Sequence, residues 1–362
     1  MKLKPKSYIC KKSVLKKILI IRFSSIGDIV LTTPVIRCVK QQLPGTEIHF
    51  AVKKAFLPIV ESNPYIDKIH LLEDDLKDLT RKLKAEKFDF IIDLHKNLRS
   101  WQIRSALKVP SACFPKINIQ KWLLTRFKID IMPDVHIVDR YFKAVAPLGV
   151  SNDFKGLDYF IPAKEEFNLD SLPEKFRAGY TAFVIGAKHA TKRLPEPKII
   201  DICKKMDSPV LLLGGPEDAP VADRISASCG PLVLSMCGKI SLNRSASLVQ
   251  QARVVITHDT GLMHIAAAFR KKIISIWGNT VPKIGMYPYM PGDEINSIII
   301  EVKGLKCRPC SKLGYDRCPR GHFKCMEGID ESEVIGTDYY MPHTRSKFPA
   351  RDPDTLYNPG EG

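Results

Sequence analysis

The sequence predicts an α/β protein built as two Rossmann-like domains that face each other across a cleft. Three observations point there. The chain has 362 residues, about twice a usual domain length. Short apolar runs alternate with helical patterns almost from end to end, as in parallel sheets covered on both faces. The alternation then starts afresh after a Pro/Glu/Lys-rich stretch at about 162–178.

In the first series, Ile18 to Phe23, Glu47 to Val52, Lys68 to Leu72 and Phe88 to Leu94 read as buried strands. Between them, Pro34 to Leu43 and Leu76 to Lys87 carry a helical period. The second series has strands at Tyr180 to Gly186, Val210 to Leu213, Leu232 to Ser235, Val254 to Thr257 and Ile273 to Trp277. The expected division is a domain over 1–165, a domain over 166–335 and a poorly ordered tail over 336–362, where Pro residues recur without any period. In open α/β sheets ligands bind beyond the carboxyl ends of the strands, so the loops there are where chemistry is expected.

Composition narrows the classes. Hydrophobic residues make up 44% of the chain, too many for a disordered protein and enough for two cores. No apolar run approaches the ~20 residues of a membrane-spanning helix. Seven lysines precede residue 18, but the apolar run behind them is short and ends at Arg22, with no signal-peptide cleavage pattern. A cytoplasmic location is therefore expected, with the ten cysteines as reduced thiols. The net charge of +17 calls for an anionic partner. No zinc-finger spacing or aromatic RNA-binding signature is present, so an acidic membrane surface and an acidic substrate are expected in place of nucleic acid. The N-terminal lysines are expected to help hold the protein on that membrane.

Four strand-end loops carry candidate chemistry. The first is Arg22-Phe23-Ser24-Ser25-Ile26-Gly27-Asp28, which presents two hydroxyls and a carboxylate where a helix begins. It lacks the glycines of a dinucleotide fingerprint, and no phosphate-loop motif occurs elsewhere. Taken alone, Ser25 and Asp28 read first as a helix cap. The second is His258-Asp259-Thr260-Gly261-Leu262-Met263-His264, running into Ile265-Ala266-Ala267-Ala268. Free N–H groups at such a helix start, with Thr260 beside them, suit a diphosphate; a core or capping role is the alternative for His264. The third, Gly186 to Pro195, contains Lys188, Lys192 and Arg193, cations that either hold phosphates or are solvated, with His189 and Thr191 among them. In the fourth, Leu213 to Asp218, glycines admit a ligand to the backbone and a carboxylate accepts from ribose hydroxyls, unless the turn is only a turn.

Together these motifs resemble the heptosyltransferase family, the ADP-heptose–lipopolysaccharide heptosyltransferases, over roughly 14–335. Arg-x-Ser-Ser-Ile-Gly-Asp and Asp-Thr-Gly-Leu-x-His-x-Ala-Ala-Ala carry most of the likeness. The resemblance implies a two-domain GT-B fold and an inverting glycosyltransferase that needs neither metal nor cofactor. Its implied reaction moves heptose from ADP-heptose to a lipid A–Kdo or core oligosaccharide acceptor of the lipopolysaccharide inner core, on the cytoplasmic face of the inner membrane. It makes 1–165 the acceptor domain and 166–335 the ADP-sugar donor domain. By that match Asp28 is the general base. Lys192, with Thr191 beside it, and the Thr260-Gly261-Leu262 turn hold the diphosphate. Glu217 holds the ribose, and Asp259 and His264 lie near the sugar and phosphates. Ser24, Ser25, Gly27, Lys96 and Arg99 meet the acceptor. The tryptophan that often follows the Lys-Arg pair in the family is Leu194 here. Two other classes stay open: a same-fold transferase with another donor or acceptor, and a silent nucleotide- or glycan-binding protein.

Cys307, Cys310, Cys318 and Cys325 lie within nineteen residues, a spacing unlike paired zinc knuckles, and are expected to be structural, as reduced packing thiols or as ligands of a structural zinc. Asp352-Pro353-Asp354 in the tail is formally a metal-binding pattern, read as coincidence.

Overall fold

The computed structural model describes residues 15–339. The lysines ahead of residue 15, the Asp352–Asp354 pattern and most of the expected tail lie outside these residues. The helix Glu331–Tyr339 runs past Gly336, so helical structure continues beyond the point where the sequence pattern breaks.

Eleven strands, among the described residues, form two wholly parallel sheets. The first comprises β1 (Lys17–Ile21), β2 (Glu47–Lys53), β3 (Lys68–Leu72), β4 (Phe90–Asp93) and β5 (Ser111–Cys113), in the order β3-β2-β1-β4-β5. The second comprises β6 (Thr181–Val184), β7 (Val210–Leu213), β8 (Val233–Ser235), β9 (Val254–His258), β10 (Lys272–Trp277) and β11 (Ser297–Glu301), in the order β11-β10-β9-β6-β7-β8. The sequence reading found nine of these strands. It missed β5, which has only three residues, and β11, with its run Ile298-Ile299-Ile300.

Alternation along the strands explains the near-continuous apolar runs. Ile18 and Ile20 of β1 face one apolar cluster, and Leu19 and Ile21 face another with Leu79, Leu83 and Ile103. In the second sheet Ala182 and Val184 join the first cluster, while Phe183 packs with Ile199, Ile225 and Ile274. The first cluster is shared, running from β1 through Val35 and Val39 to Leu248, Ile265 and Trp277. The two halves are therefore fused along one apolar seam.

The stretch between them is packed. Arg37 binds Asp153 at 2.9 Å and also Asp158, and Phe167, Leu172 and Phe176 are buried. In each sheet the chain reverses its direction of growth between two neighbouring strands, β1 and β4 in the first and β9 and β6 in the second. Crevices beyond the carboxyl ends of those strands are the places where open α/β sheets take ligands.

Candidate functional site

The loops after β1, β4, β6 and β9 carry most of the residues singled out from the sequence. Two of these loops meet where the halves pack together. The helix Ile26–Val30 follows β1, the helix Gly261–Ala268 follows β9, and their first turns touch. A Cβ on Gly27 would lie 2.5 Å from ring carbon Cδ2 of His264, and one on Gly261 would lie 2.6 Å from a methyl of Ile26. Both positions need glycine for that approach. Gly27 was assigned to an acceptor; the His264 ring covers it instead, so its role is to let the halves meet.

Asp28 projects from the first of these helices. Its Oδ1 lies 2.6 Å from Nη2 of Arg22, and its Oδ2 accepts from the Ser25 hydroxyl at 2.7 Å and the Ser25 N–H at 3.2 Å. The backbone bond is half of a capping box, so the cap reading is realised. Burial pushes the carboxyl up, and Arg22 together with Ser25 more than offsets this, leaving it below the usual aspartate range. Arg22 is itself fixed. It donates from Nε to the Ser24 carbonyl at 2.8 Å and from Nη1 to the Leu94 carbonyl, with the Tyr141 ring 5.8 Å away. Ser24 thus contributes its carbonyl to holding Arg22.

On the second half, Lys192 ends a short turn after β6, and its ammonium donates to Asp259 Oδ2 at 2.6 Å and to the Asp259 carbonyl at 3.3 Å. Thr280 donates to the same carboxylate oxygen at 2.9 Å. Thr260 stands at the N-cap position of the Gly261–Ala268 helix without a side-chain cap bond, and Gly261 and Leu262 are half-buried at its start. His264 is buried, and burial pulls its imidazole down to about 4 against the opposing pull of Asp259 and Asp28. Its Nδ1 has no protein partner.

Other assigned residues sit differently. Thr191 is buried, its hydroxyl donating to the Tyr315 carbonyl at 3.0 Å and accepting from the Tyr315 N–H at 2.8 Å. It therefore anchors the 315 loop and has no hydrogen left for a diphosphate. Glu217 is exposed beyond β7, folded over Gly215. The neighbouring Asp218, passed over in the sequence, is buried against Gly186 and Gly214, accepts from Gly215 N–H at 2.9 Å and pairs with Arg193 at 3.3 Å. Leu194 is buried and donates its N–H to Nε2 of His258. Lys96 is exposed and donates to the Phe114 carbonyl at 3.0 Å, and Arg99 is exposed on the next helix.

Several site groups escaped the sequence reading: Arg22 as the partner of Asp28, Tyr141, Lys116 and Lys121. Lys121 feels Arg140, Lys312, Asp28 and Lys116, and burial drives its ammonium down to about 8. Arg22 stands in the first motif and was legible there as a cation six residues before the carboxylate. Lys121 carries no local signal, since only the fold brings the Asn118–Phe127 helix to the cleft.

Two groups with metal-binding chemistry lie elsewhere. His49, His70 and Glu86 place ligand atoms within 4.8 Å of one another, the only such group among the described residues. Their atoms are engaged internally: His49 Nδ1 meets His70 Nε2 at 2.8 Å, His49 Nε2 meets Glu47 at 2.7 Å, and Lys17 and Lys68 pair with Glu86. The four cysteines do not form such a group. Cys310 donates its S–H to the Cys307 carbonyl at 3.1 Å, and burial raises the Cys310 thiol and lifts that of Cys325 to about 11.

The family model for glycosyltransferase family 9 (heptosyltransferase) matches residues 76–314. Lipopolysaccharide heptosyltransferase 3 of Escherichia coli (strain K12) is 25% identical over 284 residues, spanning 70% of this chain and 80% of the relative. The family 9 glycosyl transferase from Veillonella parvula DSM 2008 superposes with a TM-score of 0.68 at 21% identity, over 89% of this chain and 95% of that one. E. coli ADP-heptose lps heptosyltransferase II gives 0.66 at 17% identity, over 89% and 99%. These likenesses establish the GT-B architecture.

Proposed function

The chain belongs to glycosyltransferase family 9, the heptosyltransferase family, and we propose that it moves heptose from ADP-heptose to a lipid A–Kdo or heptosylated inner-core acceptor. Inversion at the anomeric carbon belongs to the same proposal. The observation that carries it is the pairing of charges around the contact of Gly27 with His264. A carboxylate held by Arg22 stands on one side and an ammonium held by Asp259 on the other.

In this reading the half over 1–165 binds the acceptor and the half over 166–335 binds the donor. An acceptor hydroxyl is too weak an acid to attack unaided, so Asp28 takes its proton as the new C–O bond forms. The bond from the anomeric carbon to the diphosphate breaks as ADP departs. Lys192 leaves Asp259 for the phosphates, and the first N–H groups of the Gly261–Ala268 helix, with Thr260, Gly261 and Leu262, take up the remaining charge. Neutral His264 and Asp259 border the sugar, and Glu217 accepts from the ribose. Ser25, Lys96 and Arg99, joined by Lys116 and Lys121, meet the acidic acceptor. The protein works at the cytoplasmic face of the inner membrane, and no helix among the described residues is long and apolar enough to cross it.

Incubation of the purified chain with ADP-heptose and a defined lipid A–Kdo acceptor tests this, read by mass spectrometry of the product. One added heptose is the expected outcome; no transfer, with ADP still binding, would leave a silent binding protein. A melting-temperature screen separates donors, because ADP should stabilise the fold more than UDP or GDP does.

A further inference from the structure

We propose that the face built from the helices Leu98–Leu107 and Asn118–Phe127, with the segment behind them to Ile131, seats the protein on an anionic lipid bilayer. The inference rests on the proposed reaction in one respect, that the acceptor is lipid-borne.

The Asn118–Phe127 helix is turned inside out for a protein surface. Leu124 and Lys121 face inward, the lysine toward Asp28 and Arg140, while Ile119 and Trp122 face solvent at 70% and 55% exposure. Trp122 packs edge-on to Phe127, 4.9 Å between centroids, and Phe127 and Ile129 are themselves exposed. On the neighbouring helix Leu98 and Trp101 are exposed at 69% and 54%. Seven of the eleven exposed large apolar side chains among the described residues fall between 98 and 131. Apolar side chains exposed on two helices that begin beyond adjacent strand ends mark an interface.

Charge selects the occupant. Between Asp93 and Asp130 the sequence holds eight Lys and Arg and no acidic residue. Lys96, Arg99, Lys108, Arg126 and Lys128 are exposed among the apolar groups. Tryptophan and isoleucine set among lysine and arginine match the headgroup region of a membrane whose lipids are anionic, where the rings sit at the apolar boundary and the cations meet phosphate. A nucleic acid would find the cations but nothing to cover Ile119 and Leu98.

Placement connects the face to the site. Both helices begin beyond the carboxyl ends of β4 and β5, adjacent strands of the first sheet, and β4 lies beside β1, whose end leads to Asp28. A sugar on a lipid anchor would reach the cleft from this side.

The fluorescence of the tryptophans tests the proposal directly. Trp101 and Trp122 are two of the three in the chain, and the third, Trp277, is buried. Vesicles of phosphatidylglycerol and phosphatidylcholine should shift emission of the full chain to the blue, and pure phosphatidylcholine should do so far less. The variant Trp122→Ser/Ile119→Ser should bind the anionic vesicles roughly tenfold more weakly in sedimentation, with its melting temperature and its transfer to a water-soluble core oligosaccharide unchanged. A chain lacking residues 2–12 should keep the blue shift. Equal vesicle binding by parent and variant, or an unshifted emission, would overturn the proposal. So would a concentration-dependent dimer lost in the variant, or RNA binding that survives without lipid. Absence of any transfer by the parent would count against the proposed reaction and leave the vesicle result standing.

Discussion

Two loops, one from each half, hold a carboxylate against a cation, and they hold it by different means. Arg22 is locked: its guanidinium serves Asp28, the Ser24 carbonyl and the Leu94 carbonyl at once. Removing it from Asp28 would strand buried acceptors. Lys192 is held by one residue, through the carboxylate and carbonyl of Asp259, and Thr280 also supports that carboxylate. It has one residue to release on turning to a phosphate, and Asp259 keeps its bond from Thr280 when it does. The fixed pair suits a group that must stay ionised and aimed, and the loose pair suits one that must follow an incoming diphosphate.

The largest effect that would break this contrast is expected from Asp28→Asn. The amide keeps the acceptor for Ser25 and removes both the base and the charge that faces Arg22. Turnover should fall by ~10²–10⁴ with ADP affinity nearly unchanged, and melting temperature should drop modestly as Arg22 loses its ionic partner. Steady-state kinetics and a melting curve on one variant suffice. Intact turnover with lowered stability would reduce Asp28 to a helix cap.

How much of this was legible beforehand depended on range. β1, β7 and β9 announced themselves as apolar runs, and the motifs after β1 and β9 fell where they were placed, because strand, turn and helix are all local. What failed was non-local. Thr191 looked like a phosphate contact until Tyr315, 124 residues on, claimed its hydroxyl. Gly27 looked like a ligand-facing turn until the ring of His264 closed over it from the other half. The cationic lining from Lys121 is invisible in a helix whose outward face carries isoleucine and tryptophan.

Lys192→Ala sharpens the contrast from the other side. It removes a cation that donates to the carboxylate and carbonyl of Asp259, and Thr280 still supports that carboxylate, so the melting temperature should fall only modestly. Donor affinity and turnover with ADP-heptose should fall by roughly ten- to a hundredfold, the value of one charge-assisted contact. Isothermal titration with ADP and kinetics with the sugar nucleotide measure the two losses separately. Kinetics matching the parent would leave Lys192 as a partner of Asp259 and nothing more.

The smallest expected effect concerns protons, and it separates the carboxylates from the imidazoles beside them. His95 stacks edge-on with Phe23 next to the first loop, and His264 lies at the start of the second loop's helix. Burial holds both imidazoles down to about 4. In the unfolded chain they protonate near ~6.5, so between those two pH values the unfolded state takes up protons that the native state refuses. Stability is therefore full above ~6.5 and declines as the pH falls, by up to roughly 1.4 kcal/mol per pH unit for each histidine. Asp28 acts in a lower window. Its carboxyl sits below the usual range in the fold, so its contribution persists down to the unfolded aspartate value near ~3.9 and is lost only beneath it. Urea unfolding of the parent between pH 7.5 and 5 should thus show a falling stability that His264→Gln makes shallower by about one proton. The Asp28→Asn variant should keep the parent's slope across that range. A His264→Gln slope equal to the parent's would mean that His264 already carries its proton in the fold, beside Asp28 and Asp259, and that the second loop has a second cation in place of a neutral ring.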